Sequence, residues 1–482
     1  MMRFLLISKT DKKSSFVLAS ILLLMFCITV NGQCSTNSWA QLSQGQNFNI
    51  ALKTDGTIWM WGLNDSGVRG NGASTVGTVI KHPEQIGTDS DWKEVSTGHH
   101  FVLALKENGD LYGWGDNAYG NFGLGNNTNV TTPVKIATGV KDYAAGYYST
   151  LVIKNDGTLW GTGYNDWGNL GLGTSEGFIN TFRQEPTNAT NWAKVFSGWY
   201  TSFAIKSNGT LWSCGSNVYG ATGLGQTSGE ESSFTQVGTG TNWSEVSGSP
   251  FHTVALTTAG KLWAWGANNF GRLGLAGGGE QIYYTPQPID AASNYTAVTS
   301  GIDNSLVMRS DGAIFAGGSN SSGKLGIGTN DATTSNLAFV RIGTATNWKS
   351  ISMRLGEGHS GVINNSSQML ITGADNYYQL GNNDGTPTNS NSFTQVTCDD
   401  LLAVNDFSSD KKLSLYPNPA KDFVVLQSAK AISEVKIYSA TGAIVKSISK
   451  VSDNKINVAD LPAGVYIVKI NDSSEGVKLI KK

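Results

Sequence analysis

Apolar and polar positions between residues 39 and 396 fall into short runs that repeat. A unit opens on an apolar strand such as WKEVSTG (92–98), continues through FVLALK (101–106) and returns through DLYGWG (110–115). Between the last two lies a pair from the set Asp55-Gly56, Asn108-Gly109, Asp156-Gly157, Asn208-Gly209, Ala259-Gly260 and Asp311-Gly312. Asn-Gly and Asp-Gly predict type I′ hairpins, in which both central residues take positive φ. The seventh unit has Ser366-Ser367 there, which predicts a looser turn. The returning strands read TIWMWG, DLYGWG, TLWGTG, TLWSCG, KLWAWG, AIFAGG and QMLITG. An N-x-x-G corner follows, then a short fourth strand: PEQI, PVKI, FTQV, PQPI, FVRI and FTQV.

The glycines that end the returning strands are Gly62, Gly115, Gly163, Gly215, Gly266, Gly318 and Gly373, spaced by 53, 48, 52, 51, 52 and 55 residues. Four antiparallel strands at that period describe propeller blades. A lone blade cannot bury both faces of its sheet, so the ring must be complete. The fold class predicted is therefore all-β: a seven-bladed β-propeller, with a small C-terminal β-sandwich after it. The first unit starts at Trp39 without a preceding fourth strand, and the last ends at FTQV (393–396). The simplest closure pairs Phe393–Val396 with blade one, leaving no open edge. Cys398 lies two residues after Val396 and Cys34 five before Trp39, so a Cys34–Cys398 disulfide would replace the missing peptide at this junction. Such a bridge suits an oxidising compartment. Cys214 sits where other units have Trp61, Trp114 and Trp265 and reads as a small buried residue.

Outside the repeat the pattern changes. Arg3, Lys9, Lys12 and Lys13 precede the apolar run 16–30, and Val30-Asn31-Gly32 follows. This is expected to be a cleaved signal peptide over 1–32, with Gln33 as the new N-terminus. Fifteen apolar residues are short for a membrane span, and the mature chain is expected to carry none. The propeller is assigned to 33–398 and a linker to 399–412. Residues 413–482 alternate as strands punctuated by Pro-Asn-Pro, Thr-Gly and Pro-Ala-Gly turns.

Composition narrows the function. Charged residues are 15% and the formal net charge is −2, which leaves no electrostatic footprint for nucleic acid or an anionic membrane. The 59 glycines lack a Gly-X-Y period, and aromatics at 10% exclude a disordered polar chain.

The motif W-G-x-N-x-x-G-x-x-G resembles the repeat of the RCC1 (regulator of chromosome condensation) family. It stands as WGLNDSG (61–67), WGDNAYGNFGLG (114–125), TGYNDWGNLGLG (162–173), CGSNVYGATGLG (214–225), WGANNFGRLGL (265–275) and GGSNSSGKLGIG (317–328). TGADNYYQLGN (372–382) lacks one glycine. The resemblance implies a seven-bladed propeller that binds partners through one face. The namesake's nuclear exchange activity does not transfer, because it needs a GTPase and chromatin. The last segment resembles the C-terminal sorting domain of the type IX secretion system of Bacteroidota, on YPNP (416–419), YSATG (438–442), LPAGVYIVKI (461–470) and the terminal KLIKK. That implies engagement of the type IX machinery and export to the outer surface or beyond, followed by removal of the domain.

Candidate chemistry is sparse. His252 and His359 occupy matching slots held elsewhere by Phe48, Phe101, Ser149, Thr201 and Asn304, so a structural hydrogen bond is expected of them. No cofactor or metal is expected. The glycine runs follow strands and open no helix, and NNDG (382–385) lacks calcium-loop spacing. No nucleophile elbow is read among the serines. A hydrolase needs paired carboxylates, and Asp116, Asp166, Asp303 and Glu357 are scattered over the blades. A better constellation is the residue pair after each first strand: Gln46-Asn47, His99-His100, Tyr147-Tyr148, Trp199-Tyr200, Pro250-Phe251, Ile302-Asp303 and Glu357-Gly358. These loops share one face, and His99, His100, Tyr147, Tyr148, Trp199, Tyr200 and Phe251 form a candidate binding surface. A second series, Tyr119, Trp167, Tyr219 and Phe270, recurs with the corner glycines and reads as blade packing.

The leading expectation is a secreted, monomeric, non-catalytic module that recognises an extracellular protein or glycan. The alternatives are a propeller enzyme acting on glycans or peptides, and a structural adhesion protein.

Overall fold

The computed structural model describes residues 38–73, 77–225, 229–275, 281–290, 294–329, 336–353, 358–382, 385–397, 413–428, 432–439, 442–449, 454–471 and 476–482. The expected signal peptide (1–32), the expected linker (399–412) and the expected Cys34–Cys398 bridge lie outside these residues. The chain divides into two compact units, 1–398 and 399–482.

The first unit contains seven four-stranded sheets, each with its strands in chain order: 39–86, 92–137, 140–184, 192–236, 243–288, 295–341 and 348–395. These are the seven blades of the predicted propeller. The first strand of every blade lines a central channel of about 600 Å³. An innermost strand has an unpaired edge, and its peptide groups need partners. The neighbouring blade supplies them. Gln41 accepts the Val95 N–H (2.9 Å) and donates to the Val95 carbonyl (3.0 Å). Asp142 accepts the Val195 N–H at 2.7 Å. The outer strand of blade 3, Phe178–Gln184, is not marked by the hydrophobic pattern, because only Ile179 along it is buried.

The seam differs from expectation. Ser390–Gln395 pairs with Met369–Gly373 inside blade 7 (Leu370 opposite Gln395), and blade 1 has its own outer strand, Thr78–Ile86. Phe393–Val396 therefore does not complete blade one. The repeat and the blade are in phase, so every sheet is one continuous stretch of chain. Closure is made by packing, a backbone hydrogen bond and side-chain hydrogen bonds instead. The Trp39 N–H donates to the Ser367 carbonyl (3.0 Å). Asn49 Nδ2 and Trp61 Nε1 both donate to the Gln379 carbonyl at 2.9 Å. His359 Nε2 meets Asn49 Oδ1 at 3.1 Å. Leu42, Trp61, Ile363, Ile371, Leu380 and Val396 share one apolar cluster across this seam.

The other seams use the same side-chain slot. Trp114 Nε1 donates to the Val68 carbonyl (2.9 Å), Thr162 Oγ1 to Gly120 (2.9 Å), Trp265 Nε1 to Ala221 (2.8 Å) and Thr372 Oγ1 to Gly323 (3.0 Å). Cys214 holds this slot in blade 4, with Sγ 3.5 Å from the Asn169 carbonyl. It is a buried free cysteine whose thiol burial pushes well above the usual range.

The hairpins also differ from expectation. Gly56 has φ +78°, but Asp55 is not in the positive region, so the loop is a type I turn followed by one left-handed residue. The acid instead braces the strand that follows. Asp55 Oδ1 accepts the N–H (3.0 Å) and hydroxyl (2.6 Å) of Thr57. Asp156 and Asn208 repeat this with Thr158 and Thr210. Ser367 takes the left-handed place in blade 7 (φ +56°), and its N–H bonds the Asn364 carbonyl at 2.9 Å. That turn is the same as the others, not looser.

The second unit holds a three-stranded and a four-stranded sheet around Val424, Leu426, Val435, Ile437, Ile456, Val458, Val468 and Leu479. Two of its sequence motifs meet: Asn418 of YPNP donates to the Lys478 carbonyl (2.9 Å) and accepts the Ile480 N–H (2.7 Å) of the terminal strand.

Candidate functional site

Each first-to-second-strand loop is held from below by the glycine that ends the third strand. The N–H following that glycine donates to the carbonyl of the second loop residue: Asp116 to His100 (2.9 Å), Tyr164 to Tyr148 (2.9 Å), Ser216 to Tyr200 (2.8 Å) and Ala267 to Phe251 (2.8 Å). The close approach leaves no room for a side chain. A Cβ on Gly115 would lie 2.6 Å from the His100 carbonyl oxygen, and its φ is +104°. The repeat motif thus positions the candidate site residues.

Neighbouring loops are also tied to one another. The Gln46 N–H donates to the His99 carbonyl (3.2 Å), His99 to Tyr147 (3.1 Å) and Tyr147 to Gly198 (3.1 Å). This strap runs along the channel mouth from blade 1 to blade 4, and Trp199 reaches the channel lining.

Six of the seven candidate residues come together on it. His99 lies 4.1 Å, centroid to centroid, from both His100 and Tyr147. Tyr147 stacks on Trp199 at 4.1 Å and 29°. Tyr148 is 4.4 Å from Tyr147, and its hydroxyl meets His99 Nδ1 at 3.1 Å. Tyr200 lies 6.0 Å from Tyr147 and 6.2 Å from Trp199. Phe251 is not part of this group. It sits 4.9 Å from Tyr219, with the Arg272 guanidinium 5.2 Å above its ring.

The second aromatic series does meet the neighbouring blade, as Tyr119, Trp167 and Tyr219 show, but it packs at the surface of this face and stays partly exposed. Tyr219 and Phe270 are 41% and 46% exposed, and Tyr119 and Trp167 are half-buried. Tyr119 is 4.7 Å from Tyr148 and 5.3 Å from Tyr164, and Trp167 is 5.9 Å from Tyr200. The third-to-fourth-strand corners emerge on the same face as the first-to-second-strand loops, which the strand count alone requires. That parity is readable in the sequence. Tyr164, directly after the TG step, gives no such signal.

Electrostatics around the rings of blades 2 to 4 are acidic and neutral, whereas Arg272 and Lys324 lie farther round the same face. Burial, helped by His100, pushes His99 down to about 3, so its ring is uncharged at any working pH. Burial raises Asp116, which is 9% exposed and accepts the Ala118 N–H at 3.2 Å. Burial and a hydrogen bond to Asp166 raise Tyr164 to about 12. Asp65 lies 3.8 Å from His100.

The remaining candidates resolve into structural roles. His252 is fully buried between Ser249 Oγ (2.7 Å) and Ser305 Oγ of the next blade (2.8 Å), and His359 spans the seam. Asp303 is engaged by Lys324 at 2.7 Å, and Glu357 lies outside the described residues. Residues 173–177, GTSEG, spell a nucleophile-elbow pattern, but they lie between two strands and Ser175 Oγ donates to Glu230 (2.6 Å). Among the described residues, no group of three or more His, Cys, Asp and Glu side chains is arranged to hold a metal ion. None of their helices is long and apolar enough to cross a membrane.

Comparison with known proteins agrees with this architecture. The RCC1-like domain family matches residues 26–337, and the secretion system C-terminal sorting domain matches residues 414–482. The Arabidopsis thaliana ultraviolet-B receptor UVR8 is 29% identical over 289 residues, 60% of this chain and 54% of that protein. The Xenopus laevis regulator of chromosome condensation is 26% identical over 324 residues, 61% of this chain and 74% of that protein. The chain thus spans about half the length of the first relative and three quarters of the second. Among solved structures, human WBSCR16 superposes with a TM-score of 0.61 at 20% identity, covering 71% of this chain and 94% of that one. Yeast RCC1 (Prp20) bound to Kap60 gives 0.59 at 18%, covering 70% and 80%. These two establish the fold alone. The matched tail marks the chain for type IX export to the cell surface or outside.

Proposed function

Because the chain belongs to the RCC1-like domain family, we propose that its propeller is a non-catalytic recognition module that binds an extracellular protein or glycan through the aromatic face of blades 2 to 4. One observation carries this reading. His99, His100, Tyr147, Tyr148, Trp199 and Tyr200 come from three successive blades, yet form one connected set of rings at the channel mouth. Rings of this kind anchor interfaces at low entropic cost, with large area and few rotatable bonds. They stand on loops fixed by backbone hydrogen bonds, so little ordering is left to oppose binding. Phe251, Tyr219 and Phe270 form a satellite patch on the same face.

Export supports the reading. A chain sent outside the cell meets surface proteins and glycans before it meets any nuclear partner. In a relative of this fold, yeast RCC1, the solved complex is with another protein, Kap60.

The test replaces Tyr148, Trp199 and Tyr200 together by Ala. Binding of the mature protein to producing-cell surface extract should fall at least about tenfold, the loss of one to two hot-spot residues. Unchanged binding with an unchanged melting curve would favour the structural adhesion alternative.

A further inference from the structure

We propose that the tyrosines of this face receive an organic cation, the ammonium of a lysine side chain presented by a partner protein. This rests on the reading of the face as a recognition surface and names what it recognises. Five tyrosine rings form a closed circuit of neighbours. Tyr119 is 4.7 Å from Tyr148, Tyr148 is 4.4 Å from Tyr147, and Tyr147 is 6.0 Å from Tyr200. Tyr200 is 6.1 Å from Tyr164, and Tyr164 is 5.3 Å from Tyr119. At such spacings one ammonium lies within the roughly 6 Å reach of several ring faces at once.

Charge distinguishes this circuit from the aromatics of the hairpin face. On the hairpin face, tryptophans and a tyrosine carry the chain's own lysines. Lys53 lies 4.1 Å from Trp59, Lys106 5.3 Å from Tyr112, Lys154 4.5 Å from Trp160 and Lys206 4.0 Å from Trp212. Among the described residues, no lysine or arginine lies over Tyr119, Tyr148, Tyr164 or Tyr200. What borders them instead is acid. Asp166 accepts the Tyr164 hydroxyl, and Asp116 is close enough to Tyr148 to act on it electrostatically. Rings with negative faces, flanked by carboxylates and lacking an internal cation, are complementary to a positive group from outside. A neutral sugar would gain ring stacking but nothing from the charge.

The experiment titrates the intact mature protein with three probes, followed by Trp fluorescence and tyrosine NMR signals: tetramethylammonium, a lysine-containing peptide, and neopentyl alcohol, a water-soluble uncharged near-isostere of the first. Cellohexaose is a fourth, neutral arm. Both cationic probes should perturb the Tyr119, Tyr148 and Tyr164 signals, with the neutral isostere weaker on the order of tenfold. Asp166→Asn, a surface change, should weaken the peptide severalfold, and Tyr119→Leu should abolish the effect where Tyr119→Phe retains it. If tetramethylammonium binds but the lysine peptide does not, the partner-protein source is wrong. Equal binding of the isostere overturns the cation assignment. Cellohexaose binding without cation binding overturns it too, while leaving the face as a recognition surface. Loss of surface-extract binding in the triple alanine variant keeps that broader reading standing independently.

Discussion

At the scale of single residues, the repeat motif encodes a clamp. The tryptophan-glycine step was legible as a period, and the period as blades. What the glycine does was not, because its partner is a loop carbonyl about fifteen residues upstream. The positive φ of Gly62, Gly115, Gly163, Gly215, Gly266, Gly318 and Gly373, between +98° and +107°, follows from that contact. Replacing Gly115 by Ala brings a Cβ against the His100 carbonyl in a backbone region that L residues avoid. The change should cost at least about 2 kcal/mol in denaturant melts. It should also disturb the His99–Tyr148 contact. The hairpin turns illustrate the opposite error. Asp-Gly suggests two left-handed residues, but only the glycine needs that conformation, and the acid serves as a hydrogen-bond acceptor for the next strand. Ser367 can then replace glycine at one position, a choice invisible to a rule based on dipeptides.

At the scale of elements, the number of blades and the order of strands were readable, and the seam was not. The repeat array begins on an inner strand at Trp39 and ends on an outer one at Gln395, which is compatible with an exchanged strand or with seven self-contained sheets. Backbone pairing decides it, because Ser390–Gln395 joins Met369–Gly373, and the seam is then held by side-chain bonds between residues more than 300 positions apart. Asn49 is central, since it donates to the Gln379 carbonyl and faces His359 Nε2. In a double-mutant cycle of Asn49→Ala and His359→Ala, thermal or urea unfolding should return a coupling of about 1 kcal/mol, the net worth of one buried hydrogen bond. The aromatic corners carry both roles. Recurrence with structural glycines suggests packing, and Tyr119, Trp167 and Tyr219 do meet the next blade, but the same rings stay partly exposed and are displayed on the face.

At the scale of the whole molecule, the channel sets a pH response. Burial raises Asp142 to about 6 and Glu245 to about 7, against ordinary values of 3.8 and 4.5. Both acids therefore bind protons more readily in the folded state. Their contribution is fully present below about pH 4 and is lost as pH rises through 6 and 7. Burial lowers His99, His252 and His359, which act in the opposite sense: their contribution is present above about pH 6.5 and is lost as pH falls below it. Stability is expected to peak near neutrality. Glu245→Gln isolates one acid. Relative to the unmodified protein, this variant should gain stability between pH 4.5 and pH 8, on the order of 2–3 kcal/mol, because it has no carboxylate to bury. Chemical denaturation at the two pH values measures it.

The central claim is that this exported propeller recognises its partner with the aromatic face of blades 2 to 4. Tyrosine-selective labelling of the purified mature protein, free and then bound to producing cells, tests it most directly when each tyrosine is read by mass spectrometry. The account predicts that Tyr119, Tyr148, Tyr164 and Tyr200 lose reactivity on the cells while Tyr112, on the hairpin side, keeps it. Protection of Tyr112 with the four face tyrosines still reactive would contradict it.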